Sequence, residues 1–343
     1  MRLRWFAVLS GLAALTLAIA LPARGATRPR YGGTLRVEVR ASIETADPPQ
    51  SGRGMADLAG AFTIMRWEAG RLAVYAADEN AAGGRPYLDT IEIQMARPLR
   101  EQAIDLEVGK ADVVEVGTND VRRPGAGRKT WTSAPVRVLA LVFSPSVTDA
   151  RVREALALAV DRTAIHNVLL QGQGEISGGL LPQWISGYAF LFPAAADLNK
   201  ARGLTAGLPA PDRTLSLGVD DATLRPIADR VALNARDAGL AVSVGARNGS
   251  AEVRLVEARI ETEQPERALA ALAALLGLGD LPPANSLEGL FAAESALLQG
   301  FRVIPLFHLP DTYGAGSRVR GGAGVTPLGA WRFGDLWVEG NRP

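Results

Sequence analysis

Apolar and polar residues alternate through residues 34–39, with Leu35, Val37 and Val39 on one side, the period of a strand that buries one face. Residues 88–95 repeat the pattern. Between them, residues 40–58 hold Asp47-Pro48-Pro49 and Ser51-Gly52 and read as a loop. Pro98 opens a short helix on which Ile104 and Val108 share a face and which Gly109 stops, and residues 112–116 form a further strand. The most regular stretch follows Thr148-Asp149. Val152, Leu156, Val160, Ala164 and Val168 recur every fourth residue, flanked by Ala155, Ala159 and Leu169, up to Gly172. This predicts one amphipathic helix. A strand over 215–219, a cap at Asp220-Asp221, a helix over 224–238 and a strand over 240–244 make a right-handed parallel crossover. Asn285-Ser286 caps a helix over 287–298, Gly300 closes it, and 302–307 is a strand. Alternating strands and helices imply an α/β protein, and the two groups, before and after residue 135, imply two units.

The start of the chain has a different pattern. Arg2 and Arg4 precede an uncharged run over 5–22, followed by Ala23-Arg24-Gly25-Ala26, the order of a cleavable secretory signal peptide over residues 1–25. The run is also long enough for an uncleaved anchor. With no cysteine among 343 residues, disulfides, thiol nucleophiles, thiolate metal sites and a lipidated N-terminal cysteine are excluded. His166 and His308 are the two histidines, too few for an imidazole-rich metal centre. Lys and Arg total 37 against 36 Asp and Glu, so nothing in the charge favours nucleic acid. The expectation is a soluble periplasmic protein with no metal and no cofactor.

Catalytic motifs are missing. Gly172 to Gly179 is glycine-rich, but it follows a helix and lacks the Gly-Lys-Ser/Thr of a phosphate loop. No Gly-x-Ser-x-Gly elbow occurs. Asp220-Asp221 reads as a cap, the acids from Glu257 to Glu263 lack calcium-loop spacing, and His308, at a strand end, reads as structural. Catalysis therefore has no visible carrier. Trp184, Tyr188, Phe190 and Phe192 crowd a Gly- and Pro-rich segment, where large rings either pack on their own unit or line a ligand cleft. Trp67, Trp131 and Trp331 are expected in the core or at a boundary between units.

Several strings resemble one family. Tyr31-Gly-Gly-Thr-Leu-Arg, Gly60-Ala-Phe-Thr-Ile-Met-Arg-Trp-Glu-Ala-Gly, Gly83-Gly-Arg-Pro-Tyr-Leu-Asp-Thr-Ile and Val108-Gly-Lys-Ala-Asp-Val are similar, in order, to segments of the extracytoplasmic solute-binding proteins of ABC transporters, family 5, the peptide/nickel class. So are Arg151-Val-Arg-Glu-Ala-Leu-Ala-Leu-Ala-Val-Asp-Arg-Thr-Ala-Ile, Gly178-Gly-Leu-Leu-Pro, Ile304-Pro-Leu-Phe and Ser317-Arg-Val-Arg-Gly. The resemblance implies a type II-like periplasmic-binding-protein clamp, with lobe I at 26–134 plus 306–343 and lobe II at 135–305. It implies a monomer that delivers a peptide or other small molecule to an inner-membrane ABC permease, with Phe143, Ser144, Trp184, Tyr188 and Tyr313 at the cleft. Two departures stand out: the stretch between Val39 and Gly60 is too short for the family's extra subdomain, and residues 256–272 lack its Asp-Tyr-Pro-Asp-Pro passage. These departures leave open a degenerate member that binds a partner rather than a solute. An exported enzyme is the third reading.

Overall fold

The alternation at the start becomes β1 (Thr34–Glu38), with Leu35, Val37 and the following Val39 all buried. A short α1 (Leu58–Ala61) leads into the hairpin β2 (Phe62–Glu68) and β3 (Leu72–Ala77), then β4 (Thr90–Gln94). Pro98 stands at the N-cap of α2 (Leu99–Glu107), which is followed by β5 (Val113–Glu115). The buried face of α2 is the opposite of the one expected. Ile104 and Val108 are 49% and 60% exposed, while Gln102 and Leu106 are buried. The Gln102 side chain bridges the Arg97 carbonyl and the Glu115 N–H, two backbone groups that need partners, and this turns the helix.

The long strand β6 (Lys129–Phe143) precedes α3 (Ala150–Ala159) and α4 (Arg162–Val168), where the spacing predicted one helix. Val160 is extended, and the Asp161 carboxylate accepts the Ala164 N–H at 2.9 Å, so a second N-cap restarts the helix. The break buries Arg162 and exposes Val168. Next come β7 (Glu175–Ile176), α5 (Gln183–Ser186) and α6 (Leu198–Thr205). The crossover follows as read, with β8 (Thr214–Gly218), α7 (Arg225–Asp237) and β9 (Ala241–Gly245), the strands parallel. The remaining elements are β10 (Val253–Arg259), α8 (Pro265–Leu276), α9 (Leu287–Leu298) with Ser286 as its N-cap, β11 (Val303–Ala315), β12 (Val319–Arg320) and β13 (Trp337–Val338).

This computed structural model describes residues 28–44, 58–117, 129–188, 191, 194–245, 251–279, 281, 286–322 and 324–339. The expected signal peptide, Phe190 and Phe192 lie outside them. Among the described residues, no helix is long and apolar enough to cross a membrane.

Among the described residues, eleven strands form one mixed sheet in the order β2-β3-β4-β1-β5-β11-β6-β10-β8-β9, with β7 paired to β11. The two largest hydrophobic cores among the described residues are built on it. The smaller gathers Leu35, Val37, Tyr75, Ile91, Ile93 and Trp331, and the larger gathers Leu139, Leu141, Leu156, Val231, Leu255, Leu272 and Phe307. The antiparallel pair β6 and β11 runs through both. On β6 core membership changes between Trp131 and Val138, and on β11 between Leu309 and Tyr313.

At that passage Pro135 pairs with Pro310, and the register slips on either side of Pro310. Neither proline has an N–H to give the ladder, so the sheet is locally unlaced. Side chains take over the carbonyls: Arg137 Nη2 donates to the Pro310 oxygen at 2.7 Å and Trp184 Nε1 to the Pro135 oxygen at 2.9 Å. A third bulge, at Pro305, leaves a carbonyl that Arg162 satisfies through Nε and Nη2 at 3.2 and 3.1 Å.

Candidate functional site

In an open α/β sheet, the carboxyl ends of parallel strands open onto a crevice that loops can line. Here β1 leads out to Arg40, β5 to Glu115, Val116 and Gly117, and β8 to a short turn of 3-10 helix, Ala222–Leu224. These ends meet around a cavity of about 300 Å3. Arg40, Leu99 and Glu115 line it from the side of the smaller core, Thr223, Ile227 and Glu257 from that of the larger, and Arg137, Asp311 and Tyr313 from the unlaced passage of β6 and β11. The volume suits a small solute.

Its charges form two groups. Arg137 donates through Nη1 to Glu257 at 2.9 Å and lies 3.1 Å from Asp311, which Arg259 also contacts. Burial works against the Arg137 charge, but Glu257 and Asp311 outweigh it and hold the guanidinium above its ordinary pKa. The second group spans the cavity. The Arg40 backbone N–H donates to Glu115 at 2.6 Å, and its Nη1 reaches across to Asp221 at 2.9 Å. Burial opposes the Asp221 charge too, yet the Thr223 hydroxyl and N–H, with Arg40, hold this carboxyl below its usual range.

Of the five residues expected at the cleft, Tyr313 lies in the cavity wall, its ring edge-on to Trp331 at 5.8 Å. The other four are not brought to it. Phe143 ends β6 inside the larger core, its N–H bonded to the Arg302 carbonyl at 2.9 Å. The Ser144 N–H donates to the Glu252 carbonyl at 2.8 Å, and its hydroxyl accepts from Ser146 at 2.9 Å. Trp184, 38% exposed, serves the Pro135 carbonyl. Tyr188 turns onto its own unit, donating to Glu294 at 2.5 Å with its ring edge-on to Phe291 at 5.4 Å. Glu294, on α9, also accepts the Leu180 and Leu181 N–H groups, which fastens the aromatic loop. Burial, and then the Glu294 bond, raise the Tyr188 pKa. Trp131 and Trp331 are buried in the smaller core and Trp67 packs at its edge.

The sequence reasoning missed Arg40, Glu115, Arg137, Thr223, Glu257 and Asp311. A usable signal was present for three of them, since Arg40, Glu115 and Thr223 lie at or just past the ends of strands the periodicity had located.

One cluster outside the cavity has the outline of a nucleophilic triad. His308 Nε2 is 3.1 Å from Ser177 Oγ, and Nδ1 is 3.2 Å from Glu175 Oε1. The hydrogen bonds assign it another role. The Ser177 hydroxyl points its proton at the Gly179 carbonyl, and His308 Nε2 also faces the Leu180 carbonyl at 3.2 Å, an acceptor to which it must donate. A nitrogen that donates cannot take a proton from serine. The cluster closes the Gly174–Gly179 turn onto β11, and Gly174, at φ +72°, lies so close to the His308 carbonyl that a side chain has no room.

Residues 35–295 match the family model of the bacterial extracellular solute-binding proteins, family 5, middle region. The chain belongs to this family. The oligopeptide-binding protein AppA of Bacillus subtilis (strain 168) is 27% identical over 126 residues, 34% of this chain and 23% of AppA. A probable di/tripeptide-binding protein of Pseudomonas aeruginosa (strain UCBPP-PA14) is 23% identical over 174 residues, 49% of this chain and 33% of that protein. The matches thus span 23% and 33% of these two curated relatives. Solved structures share the fold. NikA from Staphylococcus aureus, solved in complex with Ni(L-His)2, superposes with a TM-score of 0.68 at 16% identity, over 81% of this chain and 68% of NikA. The ABC transporter substrate-binding protein CtaP from Listeria monocytogenes gives 0.66 at 14% identity, over 81% and 66% of the respective chains. This chain is shorter than these structural neighbours.

Proposed function

We propose that this protein is an extracytoplasmic solute receptor that closes two lobes on a small molecule and presents it to an ABC importer permease. Export through a cleavable signal peptide would place it in the periplasm as a monomer, and it would act without cofactor or catalysis. The observation that carries the reading is the cavity of about 300 Å3 walled by both cores and by the unlaced passage between them. Such a site couples ligand to shape, because a solute touching both walls binds the closed state more tightly than the open one. The relatives named for oligopeptides and di- or tripeptides support a peptide-like solute. The missing Asp-Tyr-Pro-Asp-Pro passage argues for a different way of holding it.

Thermal unfolding of the full chain against pools of peptides, metal chelates and sugars tests the reading. A solute at 100 times its dissociation constant adds roughly 2.7 kcal/mol and raises the midpoint. No shift with any pool overturns it. The short stretch between Val39 and Gly60 and the missing Asp-Tyr-Pro-Asp-Pro passage favour a second reading, a degenerate member that binds an envelope protein and no solute. Recovery of one such protein in a pull-down, with no small molecule in the native mass spectrum, supports that alternative.

A further inference from the structure

We propose that the solute taken by this cavity is amphipathic, a polar group carrying an aliphatic chain, and that the chain leaves the cavity along a groove between α4 and α7. The inference rests on the receptor reading and specifies its ligand class. Leu170, Leu224, Pro226 and Ile227 give the cavity an apolar stretch of wall, contributed by the residues just after α4 and around the start of α7. The same two helices bound a groove of about 350 Å3. Ala164, Val168 and Leu169 line it from α4 and the residue after it, Pro226 and Leu233 line it from α7, and its charged residues are Asp229 and Arg230, of opposite sign.

Groove and cavity are joined. Pro226 lines both, and of the neighbours Leu169 and Leu170 the first lines the groove and the second the cavity. The helical spacing then gives the direction. Ala164 and Val168 share a face of α4, and Pro226 and Leu233 share a face of α7 about two turns apart, so the groove runs outward from Val168 and Pro226 toward Ala164 and Leu233 for roughly 10 Å. Val168 is 71% exposed and Leu233 42%. One such residue on a surface needs no explanation, but two on facing walls of a groove that begins at a solute cavity make an apolar track that stays wet until something covers it. A hydrocarbon chain covers it, each buried methylene tightening binding about fourfold, whereas a wholly polar solute gains nothing there.

Reversed-phase separation of the small molecules of a bacterial extract tests the aliphatic chain apart from the receptor reading. The unretained and the retained pool are each titrated into the full chain during thermal unfolding, and the retained pool is expected to raise the midpoint more. A shift from the unretained pool that is as large or larger overturns the aliphatic chain and leaves the receptor intact, whereas no shift with either pool overturns the receptor reading itself. Val168→Asn and Pro226→Asn each place a neutral amide at an exposed position where the chain leaves the cavity, with no change of charge. The amount of retained pool needed for half the shift should rise about tenfold in each variant, roughly the effect of two buried methylenes. An unchanged requirement in either variant, with its midpoint in buffer like that of the parent, overturns the assignment. The substitutions lie on different helices, so one folded variant is enough. A midpoint that rises with protein concentration but not with the retained pool gives the groove to a second copy of the chain and overturns the assignment too.

Discussion

At the scale of single residues, two buried charges, Arg162 and Glu294, are held by hydrogen bonds to neutral groups. Arg162 is among the largest fully buried side chains, and its guanidinium donates to carbonyls: Pro305, Ala157 at 3.3 Å and Ala194 at 3.2 Å. Burial lowers its pKa to about 10, still far above neutral, so the charge persists. Removing it strands the bulge carbonyl at Pro305 and opens a void. Arg162→Ala should cost about 3 kcal/mol or more in urea unfolding, a loss of the size seen when one member of a buried polar set is deleted. Glu294 gives the pH-dependent counterpart. Burial, working against the bonds from Tyr188, Leu181 and Leu180 and the nearby His308, holds its carboxyl above the ordinary range. The stability tied to this raised pKa is complete below the unfolded carboxyl's pKa and is lost as pH rises through the folded one. Unfolding free energies of the parent and of Glu294→Gln, followed upward from the unfolded value, should therefore diverge less with rising pH, because the parent declines and the amide does not. A parent that gains on the variant over this range contradicts the assignment.

At the scale of elements, periodicity located most strands and helices, and its failures have identifiable causes. The crossover β8-α7-β9 and the Ser286-capped α9 were legible because cap, apolar stripe and stop glycine agree with one another. The single helix expected over 150–171 was wrong because every-fourth spacing continues across a residue that caps. Asp161 holds the Ala164 N–H with its carboxylate, and its own N–H reaches Asn234 on α7. Asp161→Ala should cost about 1 kcal/mol, the usual worth of an N-cap, and lower the thermal midpoint by a few degrees. A neutral or stabilising effect would mean that packing alone sets the break. The cleft was mostly illegible for a different reason. Arg137 and Glu257 sit inside strands, Asp311 follows a proline in another, and the three meet because β11, β6 and β10 are neighbours in the sheet. Nothing in local spacing reports that adjacency. The aromatic segment misled because large rings in a loop read as exposed, while Glu294, more than a hundred residues away in sequence, folds that loop onto its own unit.

At the scale of the whole molecule, the two cores are joined through a sheet weakened at Pro135 and Pro310 and bridged across the cavity by Arg40 and Asp221. The bridge joins the chain just past β1 to the turn that follows β8, elements other than the β6 and β11 strands that run through both cores. Both side chains are partly exposed, so the pair is worth about 1 kcal/mol or less, enough to move an open–closed equilibrium roughly fivefold. Arg40→Ala and Asp221→Asn should each move the molecule toward the open state by a similar factor, and the double variant by little more than either alone. The absence of cysteine makes the measurement direct, since spin labels on cysteines placed at Ile104 and Leu233, exposed on α2 and α7, would be the only ones in the chain. The distance distribution between them should broaden toward longer separations in the variants and narrow again on addition of a bound solute, which also predicts a weaker apparent affinity with unchanged contacts in the closed state. Distributions that coincide with the parent in both variants would mean that the sheet itself, and not the ion pair, keeps the halves together.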